Sequence, residues 1–167
     1  EMAILAAAAK GLGGRAAVEE LPHRIDEVPF SSDRKFMAVL VESEGDRCIM
    51  AKGAPERLLE RCSQIIVGDE RVALTDEHRD EVLRKNGKLA GRALRVIAAA
   101  FGEVGKRDEL HEDDVDGLTF VGLWGMIDPP REDAVNAIAD ARAAGIRVVM
   151  VTGDHAVTAG AIARKVG

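Results

Sequence analysis

Apolar residues fall along this chain in short runs divided by polar turn signals, and through the first 127 positions the runs have the length and spacing of strands. Residues 1–10 (EMAILAAAAK) are the exception: this Ala-rich run, backed by Gly11, Gly13 and Gly14, predicts a helix with a glycine stop. The chain from Arg24 to Phe30 reads as extended. FMAVLVESEGDRCIMAK sets two apolar-rich runs around Glu44-Gly45-Asp46, a hairpin pattern, and SQIIVGDERVAL repeats it around Gly68-Asp69. Between them Pro55 suits a first helical turn and Glu56–Arg61 fit a short helix. Thr75 is placed to cap a helix running to about Arg92, with Gly87 weakening its second half. LRVIAAAF and LTFVGLWGMI predict two further strands. Strands joined by hairpins, with helices to cover one face, make this an α+β domain: an antiparallel sheet with helices packed on it.

The pattern changes at Asp128-Pro129-Pro130-Arg131, where two prolines stop the preceding strand. A helix (Glu132–Ala144), Gly145, a buried strand (Ile146–Val151), a turn (Thr152–Asp154) and a helix (Ala156–Val166) are expected to follow. That succession is a partial αβα, Rossmann-like fragment of a doubly wound sheet. The expected division is therefore one domain over 1–127 and a hinge with a partial second domain over 128–167. With helix-like segments at both ends, the chain reads as a piece of something longer.

Composition narrows the function without choosing it. The 167 residues are 47% apolar and 31% charged, a globular balance, with net charge −6 and the two signs interspersed. No basic stripe is present for nucleic acid. The longest apolar run, Met2–Ala9, is far short of the roughly 18–20 residues of a membrane span. Cys48 and Cys62 stand apart with no CxxC or His-rich company, so neither a disulfide framework nor a zinc site is expected. His23, His78, His111 and His155 lack metal-ligand spacing and read as surface or capping groups.

Four short stretches can carry chemistry, and each has a plainer reading. Thr152-Gly153-Asp154, between a strand and a helix, can direct backbone N–H groups, a hydroxyl and a carboxylate at a phosphate, or simply cap the helix. Lys52 and Gly53 in KGAPE can place a lysine over an adenine ring or toward a phosphate, or form an ordinary turn. In PFSSDRKFM, Phe30 followed by Arg34 and Lys35 offers an aromatic platform with cations, or a core phenylalanine beside a solvated strand end. Arg95, leading an apolar strand, is either a phosphate partner or the exposed position of an alternating strand.

Taken together and in this order, PFSSDRKFM, KGAPE, LRV, GMIDPPRED, AGIRVVMVTGDH and TAGAIARKVG resemble the nucleotide-binding domain of P-type cation-transporting ATPases, with the following piece of the phosphorylation domain attached. The likeness runs over nearly the whole chain and is greatest to the calcium-pump-like subgroup. It implies an ATP-binding cytoplasmic module of a membrane ion pump, a parent that also uses Mg²⁺, and the remaining phosphorylation, actuator and transmembrane domains as partners. By position it implies that Phe30 stacks on adenine, Glu1 approaches the adenine edge and Lys52 with Gly53 forms the base of the pocket. Lys35 and Arg95 would meet the phosphates, and Thr152, Gly153 and Asp154 would hold the γ-phosphoryl group. Asp128 and the proline pair would form a hinge.

The chain departs from the family pattern in three ways. Ser32 stands where an arginine is common, which puts one phosphate contact in question and leaves open whether Arg34 replaces it. Trp124 replaces a smaller apolar residue. The DKTGT string with its aspartate nucleophile and the GDGVND Mg²⁺ motif are absent from these residues, so ATP binding without turnover is expected. Two other functions fit parts of the pattern: a free-standing adenine-nucleotide-binding or regulatory domain, and a small haloacid-dehalogenase-like phosphatase.

Overall fold

The computed structural model describes residues 8, 10, 22–43, 45–126, 131–152 and 156–167. The expected N-terminal helix falls almost wholly outside them, as do its glycine stop, Glu1, Asp128, Pro129, Pro130, Gly153 and Asp154. The chain divides into two compact units, one of residues 1–83 and 97–124, the other of 84–96 and 125–167.

Seven strands form one sheet among the described residues: β1 His23–Val28, β2 Phe36–Ser43, β3 Asp46–Gly53, β4 Cys62–Val67, β5 Glu70–Ala73, β6 Arg95–Val104 and β7 Leu118–Met126, in the order β1-β2-β3-β6-β7-β4-β5. Both expected hairpins form, β2 with β3 and β4 with β5. Gly68 turns the second at φ +63, a conformation that costs glycine little. The sheet is not wholly antiparallel, as the sequence pattern suggested. β4 and β7 run parallel, with Ile65 opposite Phe120. Residues 68–117 lie between the two strands, and no local turn signal can announce a pairing across them.

Three helices follow their sequence signals. α1 (Pro55–Glu60) carries its proline at the first helical position, and α2 (Asp76–Ala90) opens with the Thr75 hydroxyl accepting the His78 N–H at 3.3 Å. α2 ends close to where expected, with Ala90 its last regular residue and Arg92 at its C-cap. Leu94 N–H reaches Leu89 O and Ala93 N–H reaches Ala90 O, with Ala93 at φ 63: a Schellman end. α3 (Glu132–Ala143) forms as expected, and Gly145 follows it at φ +74.

Alternate residues of the strands turn to one face and make the core of the first unit: Phe36, Ala38 and Leu40 from β2, Ile49 and Ala51 from β3, Ala98 and Ala100 from β6, Leu118 and Phe120 from β7. Leu58 and Leu59 of α1, Val82 of α2 and Leu110 and Val115 of the β6–β7 connection close over them. Cys62 is buried here, its thiol donating to Leu58 O, and burial pushes its pKa up to about 12, so it is an inert thiol at neutral pH.

In the second unit α3 and α4 (Ala156–Val166) pack together, and Ala161 is buried. The stretch Ile146–Val151 corrects the expected buried strand. It carries no ladder hydrogen bonds, and Val149 and Val151 are 66% and 92% exposed. A strand exists only through its neighbours, and no segment among the described residues pairs with this one. The apolar run that predicted burial is there, but among the described residues no sheet covers it.

Candidate functional site

Strands β2, β3 and β6 are apolar on both faces, which an antiparallel sheet with one solvated face would not require. The second face explains this. Met37 and Val39 of β2, Met50 and Lys52 of β3, Ile97, Ala99 and Phe101 of β6, and Val121 and Trp124 of β7 line an apolar cavity of about 440 Å³. Lys52 is the one charged residue in that lining. A concave, mostly apolar site with a single fixed charge has the size and character of a small-molecule pocket.

One end of the β2–β3 pair gathers several of the residues singled out in the sequence. Lys35 closes a turn by donating its N–H to Ser31 O at 2.8 Å, and adopts φ 59, a left-handed conformation uncommon for a residue with a side chain. Its carbonyl accepts the Ala54 N–H at 2.8 Å, Phe36 pairs with Gly53, and Met37 pairs with Lys52. The two sequence motifs are thus one structural unit. Gly53 has no room for a side chain: a Cβ there would lie 2.4 Å from Phe36 Cβ and 2.6 Å from Lys35 O.

Phe30 leads into this turn and is 61% exposed, whereas Phe36 and Phe120 are each 2% exposed. The reading of Phe30 as a core residue therefore fails, and an uncovered aromatic ring in a chain with only four phenylalanines and no tyrosine is available as a platform. Arg34 is turned inward. Its guanidinium donates to Glu112 Oε2 at 2.7 Å and to Pro29 O at 2.8 Å, so it is occupied in holding the turn. Arg71 lies over the ring of Phe101, itself a lining residue, 5.0 Å from its centroid, and pairs with Glu103 at 2.8 Å.

Arg95 opens β6 as an exposed residue, and Thr152 is exposed after the irregular 146–151 stretch; both belong to the second unit. Glu1, Gly153 and Asp154 lie outside the described residues. A broader depression of about 530 Å³ on the loop 105–114 is lined by charges of both signs, and Arg107 pairs with Asp114 there at 2.5 Å. Among the described residues no group of three His, Cys, Asp or Glu side chains is placed to hold a metal.

The loop 105–114 also braces β1. Asp26 accepts the Leu110 N–H at 2.8 Å, and this bond, followed by one from the Glu27 N–H, holds its carboxyl below the ordinary value of 3.8. Asp114 is lowered in the same way, chiefly by the His111 N–H and then by Arg107. A carboxyl whose folded pKa is depressed adds stability that is present above its unfolded pKa and is lost as pH falls through the folded value. The Leu110 amide shift should accordingly change as pH falls through the folded value of Asp26, below about pH 4. An amide that does not move in that acid range, while the protein stays folded, would show that Asp26 does not govern the contact.

A family model described as the cytoplasmic domain N of P-type ATPases matches residues 1–133. Among similar proteins, a calcium-transporting ATPase 1 of Lactococcus lactis is 39% identical over 151 residues, covering 90% of this chain and 17% of its own length. A calcium-transporting ATPase of Bacillus subtilis is 41% identical over 167 residues, 98% of this chain and 19% of its own. A sodium/potassium-transporting ATPase subunit alpha-B of Artemia franciscana is 37% identical over 180 residues, 100% of this chain and 18% of its own. The chain thus spans less than a fifth of the length of each of these relatives.

Proposed function

This chain belongs to the family of P-type ATPase cytoplasmic N domains, and from that premise we propose that it is the ATP-binding cytoplasmic module of a membrane cation-transporting ATPase. The observation that carries the proposal is the apolar cavity of about 440 Å³ with Lys52 in its wall. Adenine is a flat, weakly solvated base that such a cavity desolvates, and Lys52 supplies a cation for its edge or for the phosphates. Phe30 stacks on the base from outside the sheet, Lys35 meets the phosphate tail, and Gly53 permits the close strand approach that sets both lysines. Glu1 and Arg95 are proposed as further contacts to the adenine edge and the phosphates.

The domain boundary is proposed near Asp128. Residues 1–127 form the nucleotide-binding domain, and 128–167 form a hinge and part of a haloacid-dehalogenase-like phosphorylation domain. There Thr152, Gly153 and Asp154 hold the γ-phosphoryl group in the parent. The parent transfers that group from ATP to an aspartate and uses Mg²⁺ to neutralise the charge that moves. No DKTGT string occurs in these 167 residues, so the chain by itself binds ATP and does not turn it over. Pumps named for calcium and for sodium/potassium share this stretch at similar identity. Its task is therefore the energy supply common to them, and the choice of ion is made elsewhere.

Trp124 is the only tryptophan and lines the cavity, so its fluorescence reports occupancy. ATP is expected to change that signal and to shift amides in 28–56, and Phe30→Ala and Lys52→Ala should each weaken binding about tenfold. An unchanged spectrum at millimolar ATP would remove the proposal.

A further inference from the structure

The nine residues that carry Phe30 are attached to the rest of the first unit at both ends, and both attachments go to the same distant loop. On one side Asp26 accepts the Leu110 N–H at 2.8 Å. On the other, Glu112 accepts from Arg34 at 2.7 Å, while the same guanidinium reaches back to Pro29 O, the carbonyl immediately before Phe30. Glu112 also lies 3.7 Å from Arg61 at the end of α1. The Arg34 side chain is only 21% exposed, and its Nε is buried without a partner. An arginine that leaves one N–H unsatisfied to keep its two terminal nitrogens on these acceptors is oriented by them, not by solvent.

Resting on the proposed binding of ATP, we infer that Arg34 and Glu112 are positioning residues for the aromatic platform: their ion pair fixes the backbone at Pro29 and so holds the exposed Phe30 ring where the base stacks. Phe30 is 61% exposed and gets little orientation from packing of its own. A ring held only by its backbone must have that backbone held. The pair spans 78 residues of sequence, so the 3-10 turn at Glu112–Asp114 becomes a remote determinant of nucleotide affinity. A ligand that uses the cavity but not the platform should be insensitive to the pair.

The test is a double-mutant cycle on the 167-residue chain, with ATP affinity read by Trp124 fluorescence. Arg34→Gln and Glu112→Gln are each expected to weaken ATP about fivefold with Phe30 present, and to have no effect in the Phe30→Ala background. Glu112→Gln removes no cation, so equal losses from the two variants separate positioning from a direct phosphate contact by Arg34. The exchanged pair Arg34→Glu with Glu112→Arg should recover part of the loss. Equal weakening in both backgrounds, or no weakening in either variant, would overturn the inference while leaving the proposed function intact. If Phe30→Ala itself leaves ATP affinity unchanged, the platform reading fails and the positioning role with it. Should Arg34→Gln not fold, Glu112→Gln carries the same comparison by itself.

Discussion

Gly53→Ala is expected to destabilise the first unit by about 3 kcal/mol and to weaken ATP binding along with it. The added Cβ would sit 2.4 Å from Phe36 Cβ, 2.6 Å from Lys35 O and 2.7 Å from Phe36 Cα. Two of these three atoms are backbone, so no rotamer change relieves the overlap. Phe36 is 2% exposed and built into the core, which leaves separation of β2 from β3 as the way out. That movement breaks the Ala54 N–H to Lys35 O bond and displaces Lys35 and Lys52 together. Against this, replacing glycine stiffens the unfolded chain and returns only about 0.4–1 kcal/mol. Urea unfolding at 25 °C followed by Trp124 fluorescence gives the stability change, and ATP titration the functional one. A variant within about 0.5 kcal/mol of the parent would show that the strands yield without cost.

Phe120→Ala should be the most damaging core truncation, costing about 3–5 kcal/mol, whereas Phe30→Ala should leave stability within about 0.5 kcal/mol. Phe120 is among the largest fully buried side chains and stands opposite Ile65 in the parallel β4–β7 pair. Its removal leaves a cavity in the core it shares with Leu58, Leu110 and Val115, whose close packing limits collapse. With total stabilities of domains at about 5–15 kcal/mol, such a loss brings a large fraction of molecules toward unfolding. Phe30 has the opposite balance: its ring is mostly in water, so truncation removes little burial but removes the proposed stacking surface. Denaturant midpoints of the two variants measured side by side decide the matter. Similar midpoints would mean that exposure does not separate core from platform in this chain.

Much of the fold was legible in local patterns. The hairpins at Gly45 and Gly68, the proline that starts α1 and the threonine that caps α2 all act within a few residues, where turn and cap chemistry is strong enough to read. The two lysines and the glycine of the candidate site were visible as motifs, and the structure places them at one end of one strand pair. The cavity itself left a signal that local reading passed over: runs such as FMAVLV and VIAAAF lack the polar alternation of a strand with a wet face. The Arg34–Glu112 pair left none, because two charges 78 residues apart look like any other surface charges until the chain brings them to 2.7 Å.

The error at Ile146–Val151 has the same physical origin. Its branched apolar residues fit a buried strand, but burial needs partners that local composition does not contain, and here Val151 stands 92% exposed. By itself, then, the sequence determined the elements and the chemical identity of the candidate binding groups, since propensities, caps and turns act over a few residues. Tertiary structure alone decided which phenylalanine is core and which is exposed, that β4 and β7 run parallel, and that Arg34 pairs with Glu112. These outcomes depend on contacts between distant segments, whose free energy exists only once the sheet has closed.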